Sequence, residues 1–415
     1  MITLHRSLPG RGAALAGVLL LPVLVAVPAA HAATPNRVAI EPSSTSPALR
    51  ELVVTTGAAA DRVLVGRDAT AYVVEVSTGA AAGAGCQTAS ATTVRCTLPA
   101  NAITRVTADL GAGDDAVTVH TGVPRTLLRG GPGNDMLFGG DSNDELYGGP
   151  GDDLLWGNAG SDSFRADATA DGSDTIEGGD GRDTVDYRDR IAPVSVTLDF
   201  DRNDGSADGT ENDLIGWDVE SATGGRGADT LTGDDNPNTL SGGPGADKLS
   251  GGDGPDQLYG DAGSDTIDGD AGNDWIDDGN GDDVVRGGPG DDEIEPTQTG
   301  SSTPADRYDG GEGTDTIAYW GLRSAYAGVV VSLNGLADDG VPGENDNVLD
   351  VETVIGTHLD DHLTGGPGAQ TLIGFDGADV LDTVDGAHGD WADGGDGAAD
   401  TCRTDAGDTA VDCEN

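Results

Sequence analysis

An aspartate returns every nine residues through much of this chain, with glycines at fixed distances before it. Copies start at Gly130 (GGPGNDMLF), Gly139, Gly148 and Gly157, recur at Gly178 (GGDGRDTVD), and run unbroken from Gly224 to Glu295. Others begin at Gly310 (GGEGTDTIA) and fill Gly356 to Asp382. Written G-G-x-G-x-D-x-U-x, with U a large aliphatic or aromatic residue, the unit has a physical reason at each position. Glycine at positions 1, 2 and 4 admits positive φ, so the chain can turn tightly and aim carbonyl oxygens inward. Position 6 adds a carboxylate. An all-oxygen set of carbonyls and carboxylates suits a large hard cation and selects Ca²⁺ over Mg²⁺, whose stricter octahedron keeps its waters.

The elements that position these groups follow from position 8. It is apolar in copy after copy, from Leu137, Leu146 and Leu155 through Leu231, Ile267 and Ile294 to Leu363, Leu372 and Leu381. One apolar residue in nine fits neither a helix nor a conventional strand. It predicts a coil in which a very short strand points one residue inward per nonad, stacked copies building a thin continuous core. A flexible glycine-rich linker would not hold position 8 apolar in this way.

Composition points the same way. Of 415 residues, 74 are acidic and 21 basic, a formal net charge of −53, which excludes nucleic acid and anionic membrane as electrostatic partners. Hydrophobic residues make up only 36%, aromatics 4%, and there are 68 glycines, so a conventional core is not expected. Lys248 is the only lysine, and internal salt bridges cannot cancel so much charge. A multivalent cation can.

Two longer segments interrupt the repeats and resemble each other. Tyr187 to Thr223 contains VSVTLD, DGSADGTEND and DVES; Tyr319 to Ile355 contains VVVSLN, DGVPGENDN and DVET. An internal duplication explains them, each expected to supply a longer strand, an acidic loop and a return into the repeat. Residues 33–109 alternate as short strands (LVVTT, DRVLVG, AYVVEV, ITRVTADL) and read as a β-rich N-terminal cap. The expected organisation is a first repeat block at 110–186, insertions at 187–223 and 319–355, a main block at 224–318 with a loop at 296–309, a third block at 356–382 and an acidic C-terminal cap at 383–415.

Residues 1–32 read as a secretory signal peptide: His5, Arg6 and Arg11, an apolar run from Ala13 to Val27, then Ala30-His31-Ala32 before the cleavage point. The expectation is a secreted, extracellular protein without membrane insertion. The four cysteines pair by proximity as Cys86 with Cys96 and Cys402 with Cys413, which suits an oxidising compartment.

On these residues, roughly Leu110 to Asp382, the chain resembles the RTX, or hemolysin-type, calcium-binding repeat family. The resemblance implies an all-β parallel β-roll of two nonads per turn, with Ca²⁺ held between successive loops on each edge by position-6 aspartates and loop carbonyls. Carried over, the metal ligands are Asp135, Asp144, Asp153, Asp162, Asp183, Asp229, Asp247, Asp256, Asp265, Asp274, Asp283, Asp292, Asp315, Asp361 and Asp379. Asn238 and Gln370 replace position 6, and Asn236 stands where a position-4 glycine belongs, so sites sharing those loops are expected to be weak or absent. About ten ions follow from the uninterrupted copies. The N-terminal signal and cysteine-containing end depart from the toxins, proteases and lipases exported through a C-terminal signal. They resemble the Sec-secreted, all-repeat calcium-binding proteins of actinobacteria.

Other motifs carry less. His358 and His362 have zinc-like spacing, but they fall inside a nonad and lack the glutamate of a HExxH protease. No GxSxG nucleophile elbow occurs. Asp199, Asp201, Asn203 and Asp204 begin like an EF-hand loop, but Gly205 and Glu211 each come one residue late. The sequence therefore reads as a non-enzymatic calcium-binding structural or interaction module. The alternatives are a calcium-dependent surface adhesin with a cell-surface or glycan partner, and a secreted hydrolase whose site lies in the cap or the insertions.

Overall fold

One inward residue per nonad gives short strands, three residues long at Met136–Phe138, Glu145–Tyr147, Thr230–Thr232 and Thr239–Ser241 and six where the start of the next loop pairs as well, as in Lys248–Asp253 and Thr266–Ala271. In the computed structural model, which describes residues 36–42, 50–97, 103–297, 304–322, 327–397 and 399–414, each pairs in parallel with the strand one full turn later. The register is 18 residues: Leu137 lies beside Leu155, Leu146 beside Phe164, Leu231 beside Leu249 and Leu240 beside Leu258. One turn is thus two nonads, and the chain is an all-β parallel solenoid of about 15 turns. The described residues all belong to one unit, Thr34–Asn415. The signal peptide expected at 1–32 lies outside them, as does the centre of the loop expected at 296–309.

Consecutive strands alternate between two faces, so the position-8 side chains of both meet inside. Leu137, Leu146, Leu231, Leu240, Ile267, Ile276 and Leu381 are fully buried in one column. Burial of each is worth about 1.5–3 kcal/mol. A single such side chain per nine residues, in a glycine-rich chain, leaves much of the ordering entropy to be met by other interactions.

One face is a continuous sheet of 18 strands. The opposite face changes path at each insertion. At the first, Thr175–Asp180 pairs in parallel with Asp213–Ile215, and Arg202–Ser206 runs antiparallel between that strand and Val194–Thr197, from which Thr230–Thr232 resumes. At the second, Arg307–Glu312 pairs with Asn347–Leu349, and Val330–Ser332 starts a new sheet through His362–Thr364, Val380–Asp382 and Thr401–Arg403. Of the longer strand expected in each insertion, the first has Arg202–Ser206 of 5 residues beside Val194–Thr197 of 4, and the second has Val330–Ser332 of 3. Asp204 and Asp339 turn inward and accept the backbone N–H of Thr197 and Ser332, both at 2.6 Å, which folds the acidic loop back on the strand.

The strands before residue 110 join the same sheets. Arg50–Thr55 and Thr126–Arg129 flank Ile103–Asp109 in parallel, and Arg62–Arg67 pairs in parallel with Ala116–Val119. Antiparallel strands Arg37–Pro42, Tyr72–Val76 and Thr93–Cys96 are added around them. Both expected disulfides are formed, Cys86–Cys96 across an antiparallel pair and Cys402–Cys413 across the last turn. Among the described residues no helix is long and apolar enough to cross a membrane.

Candidate metal centre

Position 6 is the last loop residue before each strand, and the 18-residue register stacks these residues directly. Each aspartate sends Oδ1 back one turn to accept the backbone N–H of its counterpart. Asp135 N–H donates to Asp153, Asp144 N–H to Asp162, Asp229 N–H to Asp247, Asp247 N–H to Asp265 and Asp265 N–H to Asp283, all at 2.7 Å. Asp256, Asp274, Asp292 and Asp315 form the same chain on the other edge, at 2.8–2.9 Å. Asp361 and Asp379 repeat it in the third block at 2.8 Å. The aspartates therefore form columns along both edges.

The second carboxylate oxygen separates them into two groups. In Asp135, Asp153, Asp162, Asp183, Asp247, Asp256, Asp265, Asp274, Asp283, Asp292, Asp315 and Asp379, Oδ2 is buried and has no hydrogen-bond donor from the protein. In Asp144, Asp229 and Asp361 it accepts an N–H from position 2 of its own loop, from Gly140, Gly225 and Thr357, at 2.7, 2.5 and 2.7 Å. These three are the first aspartates of their column segments: the N–H groups reaching their Oδ1 come from Thr126, Val194 and Val329, not from another repeat.

Backbone conformation accounts for the difference. Position 2 of the stacked loops has positive φ, at Gly131, Gly149 and Gly288, and even where it is Asn158, Asp261, Asp270 or Phe375 (φ 65–75°). That conformation redirects the amide, so Gly131 donates to Gly148 O and leaves Asp135 Oδ2 without a donor. Position 4 is glycine for another reason. A Cβ on Gly151, Gly263 or Gly281 would collide with the carbonyl oxygen of the position-4 residue one turn before. At position 1, a Cβ on Gly130, Gly148 or Gly287 would occupy the place of the loop's own aspartate Oδ2.

The cradle is therefore built from buried carboxylate oxygens and close-stacked carbonyls, and it fits a hard cation. Gln370 shows the carbonyls of its own loop, in which position 2, Gly366, lacks the positive φ of the stacked loops. With its amide nitrogen facing the loop, it donates to Gly366 O at 2.7 Å and Gly368 O at 3.0 Å, so positions 2 and 4 converge on the tip of the position-6 side chain. Asn238 closes its loop as Asp144, Asp229 and Asp361 close theirs, its Oδ1 accepting the position-2 N–H of Asp234 at 2.8 Å. Among the described residues no three His, Cys, Asp or Glu side chains gather into a metal-holding group.

Electrostatics make these carboxylates unfavourable as bare anions. Burial pushes Asp135, Asp162, Asp256, Asp265 and Asp315 up to about 6, against the backbone N–H on Oδ1. Asp153, Asp183, Asp247, Asp274, Asp283 and Asp379 rise to about 7, burial again leading and neighbouring aspartates adding to it. Asp144, Asp229, Asp292 and Asp361 are shifted upward by burial as well. A divalent cation beside Oδ2 removes this penalty.

Several column members lay outside the expected set. Asp115, Asp174, Asp213, Asp306 and Asp346 continue one edge, and Asp390 and Asp400 continue the columns toward the C-terminus. Glu220 and Glu352, from DVES and DVET, reach into the other edge to accept Asp183 and Asp315 N–H at 2.8 and 2.9 Å. Asp115 was readable, since LGAGDDAVT keeps positions 2, 4, 6 and 8. Beside Asp174 and Asp213 the first insertion places a buried cation of its own. Arg190, 2% exposed, binds Glu211 through both nitrogens at 2.7 Å and Asp171 at 2.5 Å. Tyr187 donates to Asp213 Oδ2 at 2.7 Å. Burial pushes the Glu211 carboxyl up, but the guanidinium overrides it and holds it near 2.

The remaining motifs do not assemble. His358 is exposed against Asp376 and Phe375, and His362 faces outward on a strand. Asp199 caps its own turn through Asp201 N–H, whereas Asp204 points inward to Thr197 and Ile215.

The sequence model of the RTX calcium-binding nonapeptide repeat (four copies) matches residues 129–164, 169–188, 223–258, 259–294 and 355–387. No curated protein matches the chain significantly.

Proposed function

Because this chain carries RTX calcium-binding nonapeptide repeats folded as a β-roll, we propose that it is a secreted protein whose roll is completed by Ca²⁺ and serves as a structural or interaction module. The observation that carries the reading is the set of twelve predicted aspartates whose Oδ2 is buried without a protein donor. When bound, calcium supplies the positive charge those oxygens lack. The chain's own groups do the rest. Oδ1 of each aspartate holds the turn below it, Oδ2 with loop carbonyls would hold the ion, and the position-8 side chain anchors the loop to the core. Asp144, Asp229 and Asp361 are column starts rather than full ligands, with Oδ2 committed to their own loops.

Two features support secretion: the N-terminal signal pattern and two disulfides with no free cysteine among the described residues. The role is non-enzymatic on this reading, with structure rather than chemistry as the product of ion binding. Native mass spectrometry of the secreted chain across a calcium titration tests it. About ten or more bound ions are expected; one or two would overturn the proposal.

A further inference from the structure

The aspartate column does not stop where the matched repeats begin at residue 129. Asp115 N–H donates to Asp135 Oδ1 at 2.7 Å, and Asp61 N–H donates to Asp115 Oδ1 at 2.6 Å. The register agrees: Val63 lies beside Val117, and Val117 beside Leu137, all three buried at the inward position. Thr56 to Leu64 (TGAAADRVL) is thus a worn nonad inside the N-terminal strands, with glycine, aspartate and valine kept at positions 2, 6 and 8.

Asp115 and Asp61 differ in one decisive respect. Asp61 is satisfied by protein, its oxygens accepting Asn36 Nδ2 at 3.2 and 3.3 Å and the Thr78 hydroxyl. Asp115 is 2% exposed, and its Oδ2 has no donor. Its loop shares with the stacked repeats the positive φ of positions 2 and 4, at Gly111 and Gly113, with buried Leu110 standing where those repeats have a position-1 glycine. A Cβ on Gly111 would collide with Gly57 O, just as one on Gly131 would collide with Gly111 O. The loop from the N-terminal strands therefore lies against Leu110–Asp115 as one repeat loop lies against the next.

We propose a further calcium site in this seam, between loops 56–61 and 110–115, with Asp115 as its carboxylate and backbone carbonyls, Gly57 O among them, as its other oxygens. Asn36 and Thr78 close the column below it with protein donors, so this is the last ion-bearing gap on that edge. The ion bridges two segments far apart in sequence and locks the N-terminal strands to the roll. The inference rests on the calcium reading of the repeats, and its test separates the two.

Native mass spectrometry at saturating calcium is applied to the full chain and to Asp115→Asn and Asp61→Asn, with hydrogen exchange read at Arg62–Leu64 and at Thr230–Thr232. Asp115→Asn should bind one ion fewer and lose calcium-dependent protection at Arg62–Leu64 only. Asp61→Asn should keep the wild-type count. An unchanged count in Asp115→Asn overturns the seam site while leaving the repeats intact; a wild type that binds no calcium overturns the parent reading instead. Should Asp115→Asn fail to fold, anomalous diffraction from wild-type crystals soaked in Tb³⁺ decides. A peak between Gly57 and Asp115 supports the site, and its absence there with peaks along the repeats refutes it.

Discussion

In the unbroken repeats from Gly224 to Glu295, Asp247, Asp265 and Asp283 stack with Oδ2 buried and without a protein donor. At the insertion from Tyr187 to Thr223 the column passes Asp174 and Asp213, and there Arg190, Tyr187 and a bidentate Glu211 pair surround it. Both regions crowd carboxylates into a thin fold. One carries its cation in the sequence, and the other must take it from solution. The insertion, longer and less glycine-rich, can afford the buried side chain that a nine-residue loop has no room for. Calcium dependence should therefore be uneven along the solenoid.

The largest effect expected of a single substitution is at Arg190. Arg190→Met leaves Glu211 and Asp171 buried beside an apolar chain, which should cost about 3–5 kcal/mol in urea unfolding at saturating calcium. Arg286, exposed and 3.9 Å from Asp268 on the repeat surface, is the control; Arg286→Met should cost about 0–1 kcal/mol. Equal losses would mean that Arg190 is not the insertion's internal counter-ion.

Acidity should next distinguish Glu211, paired with Arg190, from the buried aspartates of the repeats. Asp247, Asp274 and Asp283 have folded values near 7, above their ordinary 3.8, so the calcium-free folded state binds protons more tightly than the unfolded one. That contribution is complete below about pH 4 and is lost as pH rises through 7. In chelator, exchange protection of 224–295 should grow as pH falls from 8 to 5. With calcium present the trend should reverse, because protons then compete with the ion. Within the insertion Glu211, held near 2, behaves oppositely, its contribution persisting above the ordinary 4.5 and fading only as pH drops toward 2, while its neighbours Asp171, Asp174 and Asp213, raised by burial to about 8, 9 and 6, follow the repeat aspartates. A Glu211 carboxyl that titrates with the repeat aspartates would contradict the comparison.

The smallest effects are single loops. Asp265→Asn, which keeps an oxygen to accept Asp247 N–H, should lower calcium-saturated stability by about 0.4–1.4 kcal/mol, the contribution of one site at one to ten times its Kd. Gln370→Asp replaces an amide that already serves Gly366 O and Gly368 O by a carboxylate, and should add one ion and a similar increment. Calorimetry of both variants checks the signs.

Much of this was legible in the sequence because the signal repeats. Leu137, Leu231 and Leu381 at position 8 announced the thin core, and the glycines around Asp247 or Asp274 announced oxygen cages. What escaped depends on neighbours across turns. Asp144, Asp229 and Asp361 look like any position-6 residue, yet each begins a column segment and spends Oδ2 on its own loop. Nothing in their nonads says what lies one turn below. Arg190 was hidden for a similar reason: its partners Asp171 and Glu211 are 19 and 21 residues away and follow no periodic spacing. Glu220 and Glu352 substitute for a position-6 aspartate by reach, which a pattern built on aspartate passes over.

The central claim is that calcium decides whether the repeats are folded, and far-ultraviolet circular dichroism of the full chain, in chelator and through a calcium titration at pH 7.5, tests it most directly. The account predicts a largely unordered spectrum in chelator, with residual β signal from the region around Arg190 and the N-terminal strands, and a cooperative gain of β structure as calcium is added. A chelator spectrum identical to the calcium-saturated one, with a Tm that calcium does not move, would contradict it.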